Sequence, residues 1–262
     1  MSQLNRIKNE DFYYDLAEST GGWSDPYSQR VLKFICNKIP LNGAMAEIGC
    51  GQASILGYIR EDINYLGIDI SEFAIEKARK SFKDRSNTEF KISEAHKLDI
   101  ESSKYDFILS IHALEHFRNP RQSLDEMVRI LKPEGHILLI GPNLDLFISL
   151  PNSVRHYGKL GRIKLRFIRF IDYLRRPFGS YAFRTIDNPY SDVFELYEKP
   201  DDDLRYILSS YEVVNYLKSK GLKEVKEENI INRTNAGFVK KIIKILPGMK
   251  YYGSGLTVIL KK

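Results

Sequence analysis

From residue 44 onward, short apolar runs alternate with stretches in which apolar residues recur every three or four positions. The runs Ala44–Ile48, Tyr65–Ile70, Phe90–Ile92, Tyr105–Ser110 and His136–Ile140 predict five buried strands. Between them, helical spacing predicts a helix over Ala53–Arg60 and one capped by Ser71 with Phe73, Ile75 and Ala78 on one face. A third helix carries Leu124, Met127, Val128 and Leu131 and is ended by Pro133 and Gly135. Upstream, Glu10–Ser19 reads as a short aromatic-rich helix. Asp25-Pro26 then supplies an N-cap and first helical residue for Val31, Leu32, Phe34 and Ile35. Strand–helix alternation at this spacing implies a parallel sheet covered by helices on both faces.

The alternation stops after Gly141-Pro142-Asn143. It resumes with a helix over Tyr211–Lys220, a strand near Val225–Ile231 and a last strand, Leu256–Leu260. With 262 residues, one domain is expected, with its core at 40–143 and 205–262. Two basic insertions interrupt it, at 144–204 and 232–252. No apolar run approaches the roughly 18 residues that span a bilayer, and residues 1–18 have no apolar signal region. Cys36 and Cys50 lack metal-ligand spacing, so neither a disulfide framework nor a metal site is expected. A cytoplasmic protein fits these features.

Net charge is +6, but it is not spread evenly. Residues 154–178 hold eight Lys/Arg and one Asp, a local excess of seven, so the rest of the chain is near neutral. In that stretch Leu160, Ile163, Phe167, Phe170, Ile171, Leu174 and Phe178 recur at helical spacing, while Arg162, Arg166, Arg169 and Arg176 mark another face. A basic amphipathic helix of this kind suits an anionic membrane surface or a lipid-linked acceptor; its plainer reading is a helix packed on the domain with solvated arginines. Segment 238–246 repeats the pattern with Lys240, Lys241 and Lys244 among apolar residues. The patch resembles no nucleic-acid-binding module, which disfavours that partner.

Candidate chemistry gathers at the strand ends. Glu47-Ile48-Gly49-Cys50-Gly51-Gln52-Ala53 closes the first strand, and its glycines allow a tight turn and close ligand approach. Asp69 ends the second strand, where a carboxylate can accept both hydroxyls of a ribose. Nicotinamide dinucleotide sites share those two elements. The set of five motifs from Met45 to Asn143, however, resembles the core of class I S-adenosylmethionine (SAM)-dependent methyltransferases. The resemblance implies an α/β fold: a doubly wound, Rossmann-like, mostly parallel sheet with an antiparallel last strand and helical insertions after strand 5 and between strands 6 and 7.

That resemblance also implies roles. Glu47, Gly49, Cys50 and Gly51 would serve the methionine end of SAM, and Asp69 with Ile70 its ribose. Glu94 and Ala95 would clasp adenine, and Ser110, in Tyr105–His116, would lie under the methionine moiety. Leu131–Ile140 matches the fifth motif. Ala53 stands where the family usually has a third glycine, and Glu94 replaces a commoner Asp. Tighter packing at residue 53, with binding retained, is the expectation.

Methyl transfer to a hydroxyl is helped by a base, and His is suited to that near neutral pH. His116 is the preferred candidate, then His112; the alternative is that His116 packs or caps the turn that follows. Tyr13, Tyr14 and Trp23 are candidates for a lid or for simple packing. Residues 142–203 broadly resemble methyltransferases of bacterial surface-polysaccharide gene clusters, which implies a sugar acceptor, small or lipid-linked. A lipid or quinone methyltransferase and a non-catalytic SAM-binding protein are the alternatives.

Overall fold

The computed structural model describes residues 23–145, 150–154, 156–179, 182–187, 204–227 and 255–262. The expected helix Glu10–Ser19 with Tyr13 and Tyr14, and the basic segment 238–246, lie outside them. The first described helix, α1 (Pro26–Lys38), starts as the sequence predicts: the Asp25 carboxylate accepts the amides of Tyr27 and Ser28. The strands β1 (Ala44–Ile48), β2 (Asn64–Asp69), β3 (Thr88–Ile92), β4 (Tyr105–Ile111) and β5 (Leu131–Pro142) follow. They are joined by α2 (Glu72–Ser81, capped by Ser71) and α3 (Pro120–Ile130). The insertion contributes α4 (Lys159–Arg175) and β6 (Arg184–Thr185), which forms a small ribbon with β7 (Tyr206–Ile207) just after it. Helix α5 (Ser210–Ser219) then leads to β8 (Lys223–Glu224) and β9 (Gly255–Lys261).

The main sheet runs β3-β2-β1-β4-β5-β9-β8. Pairings through β5 are parallel, and β9 runs antiparallel between β5 and β8. This is the doubly wound sheet the sequence implies. Alternate residues of each strand feed opposite faces. Ala46, Ile48, Leu66, Ile68, Ile108 and Leu139 pack with α3 and α5, while Met45, Tyr65, Phe107, Leu109 and Leu138 pack with α1 and α2. Because both faces are covered, the strands read as near-continuous apolar runs. The chain reverses direction across the sheet at β1, whose neighbours are β2 and β4. The carboxyl ends of those strands therefore frame the crevice where ligands of such sheets bind.

The strand expected near Val225–Ile231 is instead β8 at Lys223–Glu224, with 228–231 outside the described residues, and one expected helix is absent. Ala53–Arg60 does not form an α-helix; only the 3₁₀ turn Ser54–Gly57 is present. Arg85 instead donates to Leu56 O, a carbonyl that such a helix would satisfy internally, and to Arg60 O.

Candidate functional site

The turn after β1 is held in an unusual backbone shape. Gly49, Gly51 and Ala53 have φ of 76°, 51° and 57°, so every second residue is left-handed. Two glycines make that shape inexpensive. At Gly49 any side chain is also blocked, because an added Cβ would lie 2.3 Å from Ala113 Cβ. The amides of Gly49 and Cys50 both donate to Ile68 O, at 2.8 and 3.0 Å, which ties the turn to β2.

Asp69 clamps the same turn. Its carboxylate accepts Gly51 N at 2.8 Å and Ser71 N at 2.9 Å. Burial pushes its pKa up, against the pull of the Ser71, Gly51 and Ile70 amides and of the nearby His116. Glu47 is deeper. Burial pushes its carboxyl up to about 8, although the Tyr65 hydroxyl donates to it and opposes the shift. Glu47, Asp69 and Glu115 thus concentrate acidic groups at the ends of β1, β2 and β4, suited to a ligand carrying positive charge.

Ile70 and Ile92 lie at the ends of adjacent strands and are 58% and 47% exposed. Sequence reading named Ile70 and missed Ile92; its signal is an apolar residue closing a strand where a polar one would normally meet water. Glu94 is already engaged, accepting Arg118 Nη1 at 2.9 Å with His96 Nε2 at 3.2 Å, and Ala95 packs partly buried beside it. Two further candidates are buried. Ser110 is 1% exposed and its hydroxyl donates to Ile48 O at 2.8 Å. Cys50 is buried against Gly51 O. Both side chains are therefore held inside the protein, at the carboxyl ends of β4 and β1.

The two candidate bases sit on the turn after β4. His112, with φ 48°, is half exposed; His116 ends the 3₁₀ turn Leu114–His116. Between them stands a residue the sequence reading passed over. Both Glu115 carboxylate oxygens are buried without a hydrogen-bond partner among the described residues. The nearest cationic candidates are His112 Nδ1 at 3.8 Å and His116 Nε2 at 3.9 Å. A buried acid flanked by histidines three positions before and one after was the available signal. Trp23 donates to Ser54 at 3.3 Å, bringing the start of the described chain to the glycine turn.

These features define a nucleotide-binding α/β domain with an acidic crevice at its switch point. Residues 46–139 match the family model described as a methyltransferase domain. That match, with the fold, supports a class I SAM-dependent methyltransferase core with SAM as its cofactor.

The chain is similar to an O-methyltransferase of Pyrenophora dematioidea, 23% identical over 183 residues, covering 64% of this chain and 68% of that one. It is also similar to a demethylmenaquinone methyltransferase of Thermotoga maritima, 27% identical over 140 residues, covering 53% and 57%. It spans between 32% and 68% of the length of the curated relatives it matches. A SAM-dependent methyltransferase structure from Mesorhizobium loti shares the fold, with a TM-score of 0.56 at 16% identity, covering 92% of this chain and 100% of that one.

The residues present fit SAM. Gln52 Nε2 is a buried donor without an acceptor among the described residues, in the turn whose Gly49 leaves no room for a Cβ. Among the described residues, no group of three or more His, Cys, Asp or Glu could hold a metal ion.

Proposed function

We propose that this protein is a SAM-dependent methyltransferase that methylates a small-molecule or lipid-linked acceptor at a hydroxyl of a sugar, in cell-surface glycan biosynthesis on the cytoplasmic side of the membrane. The observation that carries the reading is the glycine turn clamped by Asp69 within a methyltransferase domain. SAM supplies the electrophilic methyl group, so the protein's work is alignment, water exclusion and removal of one proton. Gly49, Gly51 and Glu47 would hold the methionine end, Asp69 the ribose, and Ile70 with Ile92 the apolar faces of adenine. His116 takes the acceptor proton at an imidazole nitrogen, and the Glu115 carboxylate, 3.9 Å away, favours the imidazolium that results. The sugar class is supported by the likeness of residues 142–203 to methyltransferases of surface-polysaccharide clusters.

A lipid or quinone acceptor is the second reading, favoured by the similarity to a demethylmenaquinone methyltransferase. A non-catalytic SAM-binding protein is disfavoured by the crowding of acid and imidazole beside the cofactor turn. Incubation with methyl-labelled SAM and a bacterial membrane extract distinguishes them: label in glycolipid supports a sugar acceptor, label in quinone the second reading, and label in RNA or nowhere sinks the proposal. In the same assay His116→Ala should lower transfer by about 10²–10⁴-fold while leaving SAM affinity within a few-fold.

A further inference from the structure

Helix α4 faces the wrong way for an ordinary amphipathic helix. Its inward residues are Leu165, Arg169, Asp172 and, just beyond its end, Arg176, all less than a tenth exposed. The outward stripe is apolar: Leu160 is 84% exposed, Ile163 59%, Phe167 63%, Leu174 48%, and Phe178 after the helix 88%.

The inversion is built in. Arg176 donates to Ser209 at 2.9 Å and pairs with Asp145 at 3.5 Å, with both charged groups inside. Asp172 takes a two-pronged bond from Arg184, at 2.7 and 2.8 Å, and Arg169 donates to Leu144 O. The buried polar face cannot turn outward without breaking all of these.

Charge frames the outward stripe. At 3.6 residues per turn, Lys164 and Arg175 fall along one border of the stripe and Lys159 and Arg166 along the other. An apolar strip between two cationic rows matches the boundary between acyl chains and anionic headgroups. No helix among the described residues is long and apolar enough to cross a membrane, so contact would be from one side. The chain just after the insertion meets the turn that carries the candidate bases: Arg205 N donates to Glu115 O at 3.0 Å and the Tyr206 hydroxyl to Arg118 O at 2.7 Å.

We propose that α4 docks the protein on an anionic lipid bilayer, with Leu160, Ile163, Phe167 and Leu174 in the interface and the flanking lysines and arginines on the headgroups. The inference goes beyond methyl transfer and does not depend on which acceptor is methylated.

Sedimentation of the full chain with vesicles of phosphatidylglycerol and phosphatidylcholine in equal parts tests it, beside vesicles of phosphatidylcholine alone. Binding is expected to the anionic vesicles and to fall with added salt. The double variant Phe167→Ser/Leu174→Ser should bind about tenfold more weakly or worse, with an unchanged melting temperature and unchanged SAM affinity. Lys164→Gln/Arg175→Gln should weaken binding and flatten its salt dependence.

Three results would overturn the proposal. One is no sedimentation with either vesicle, or sedimentation that the variants leave unchanged. Another is a lowered melting temperature in the serine variant, showing that the stripe is covered by this chain itself. The third is a wild-type dimer in solution that the serine variant converts to monomer, with no vesicle binding, which assigns the face to a second copy.

Discussion

The cofactor turn and helix α4 solve opposite problems with the same rule. At the turn, Asp69 and Glu47 stay near the crevice because backbone amides and a tyrosine hydroxyl hold them there, while Ile70 and Ile92 stand exposed for a ligand. In α4 the charged groups go inside because Asp145, Ser209, Arg184 and Leu144 O receive them, and apolar residues are left outside. Burial therefore follows available partners more than residue type. The exposed apolar groups are the informative ones in both regions. Their arrangement differs: two isoleucines stand singly at the ends of adjacent strands, whereas a stripe along a whole helix fits an extended surface.

The largest effect should appear where α4 is anchored. Arg176→Met removes one member of a buried pair and leaves the Asp145 charge behind, which typically costs about 3–5 kcal/mol. Leu174→Ser, on the same helix but facing out, should stay within about 0.5 kcal/mol. Urea unfolding of the two variants measures the contrast. Equal effects would mean that the inversion of α4 is wrong.

Next in size is Asp69→Ala. Hydrogen bonds to a charged group are worth about 1.5–3 kcal/mol each, so losing the ribose contacts should weaken SAM binding at least about tenfold. If Asp69 were only a strand-end ligand, the ligand-free protein would be unaffected. Its bonds to Gly51 N and Ser71 N predict instead a measurable loss of stability without SAM. Calorimetry of binding and of unfolding separates the two roles.

How far the sequence could be read differs between the regions for a physical reason. Strand alternation is local, and both faces of β1, β2, β4 and β5 are covered, so apolar runs such as Tyr105–Ile111 announce themselves. The cofactor turn is local too, because its shape needs Gly49 and Gly51. Periodicity failed where distant groups intervene. Apolar spacing from Ala53 to Ile59 suits a helix, yet Arg85, many residues away, satisfies carbonyls within it. The apolar stripe of α4 was correctly located along the sequence, but its direction was not legible. That direction depends on Asp145, Arg184 and Ser209, which join the helix only in three dimensions. Glu115 was missed because its significance lies in its buried carboxylate having no hydrogen-bond partner among the described residues, which only three dimensions reveal.

A smaller effect should come from pH. Glu47 has a folded-state pKa of about 8 against 4.5 for the free group, so the folded protein binds its proton more tightly than the unfolded chain does. Stability is then greatest below pH 4.5 as far as this group is concerned, and is lost as pH rises from there through about 8. Asp69, also raised by burial, adds a change of the same sign. The ligand-free protein should therefore melt lower at pH 8 than at pH 6, and Glu47→Gln should flatten that slope. Pairing with a cationic ligand needs the ionised carboxylate, so SAM affinity should rise over the same interval. An affinity independent of pH would remove Glu47 from the ligand's charged end.

The smallest effect belongs to Ala53. A left-handed L-residue costs about 1–2 kcal/mol, which glycine would relieve. Against that, glycine carries about 0.5–1 kcal/mol of extra backbone entropy into the unfolded state. The methyl of Ala53, 1% exposed, also contributes about 0.8 kcal/mol of burial. The terms nearly cancel, so Ala53→Gly should shift unfolding by less than about 1 kcal/mol and leave SAM affinity unchanged. Near-neutrality would show that Gly49, Gly51 and the Asp69 clamp set the turn's shape, with residue 53 following. A tenfold loss of SAM affinity in the folded variant would show instead that the alanine methyl is part of the cofactor's floor. The contrast with α4 would then narrow, because a side chain would be shaping the turn as well.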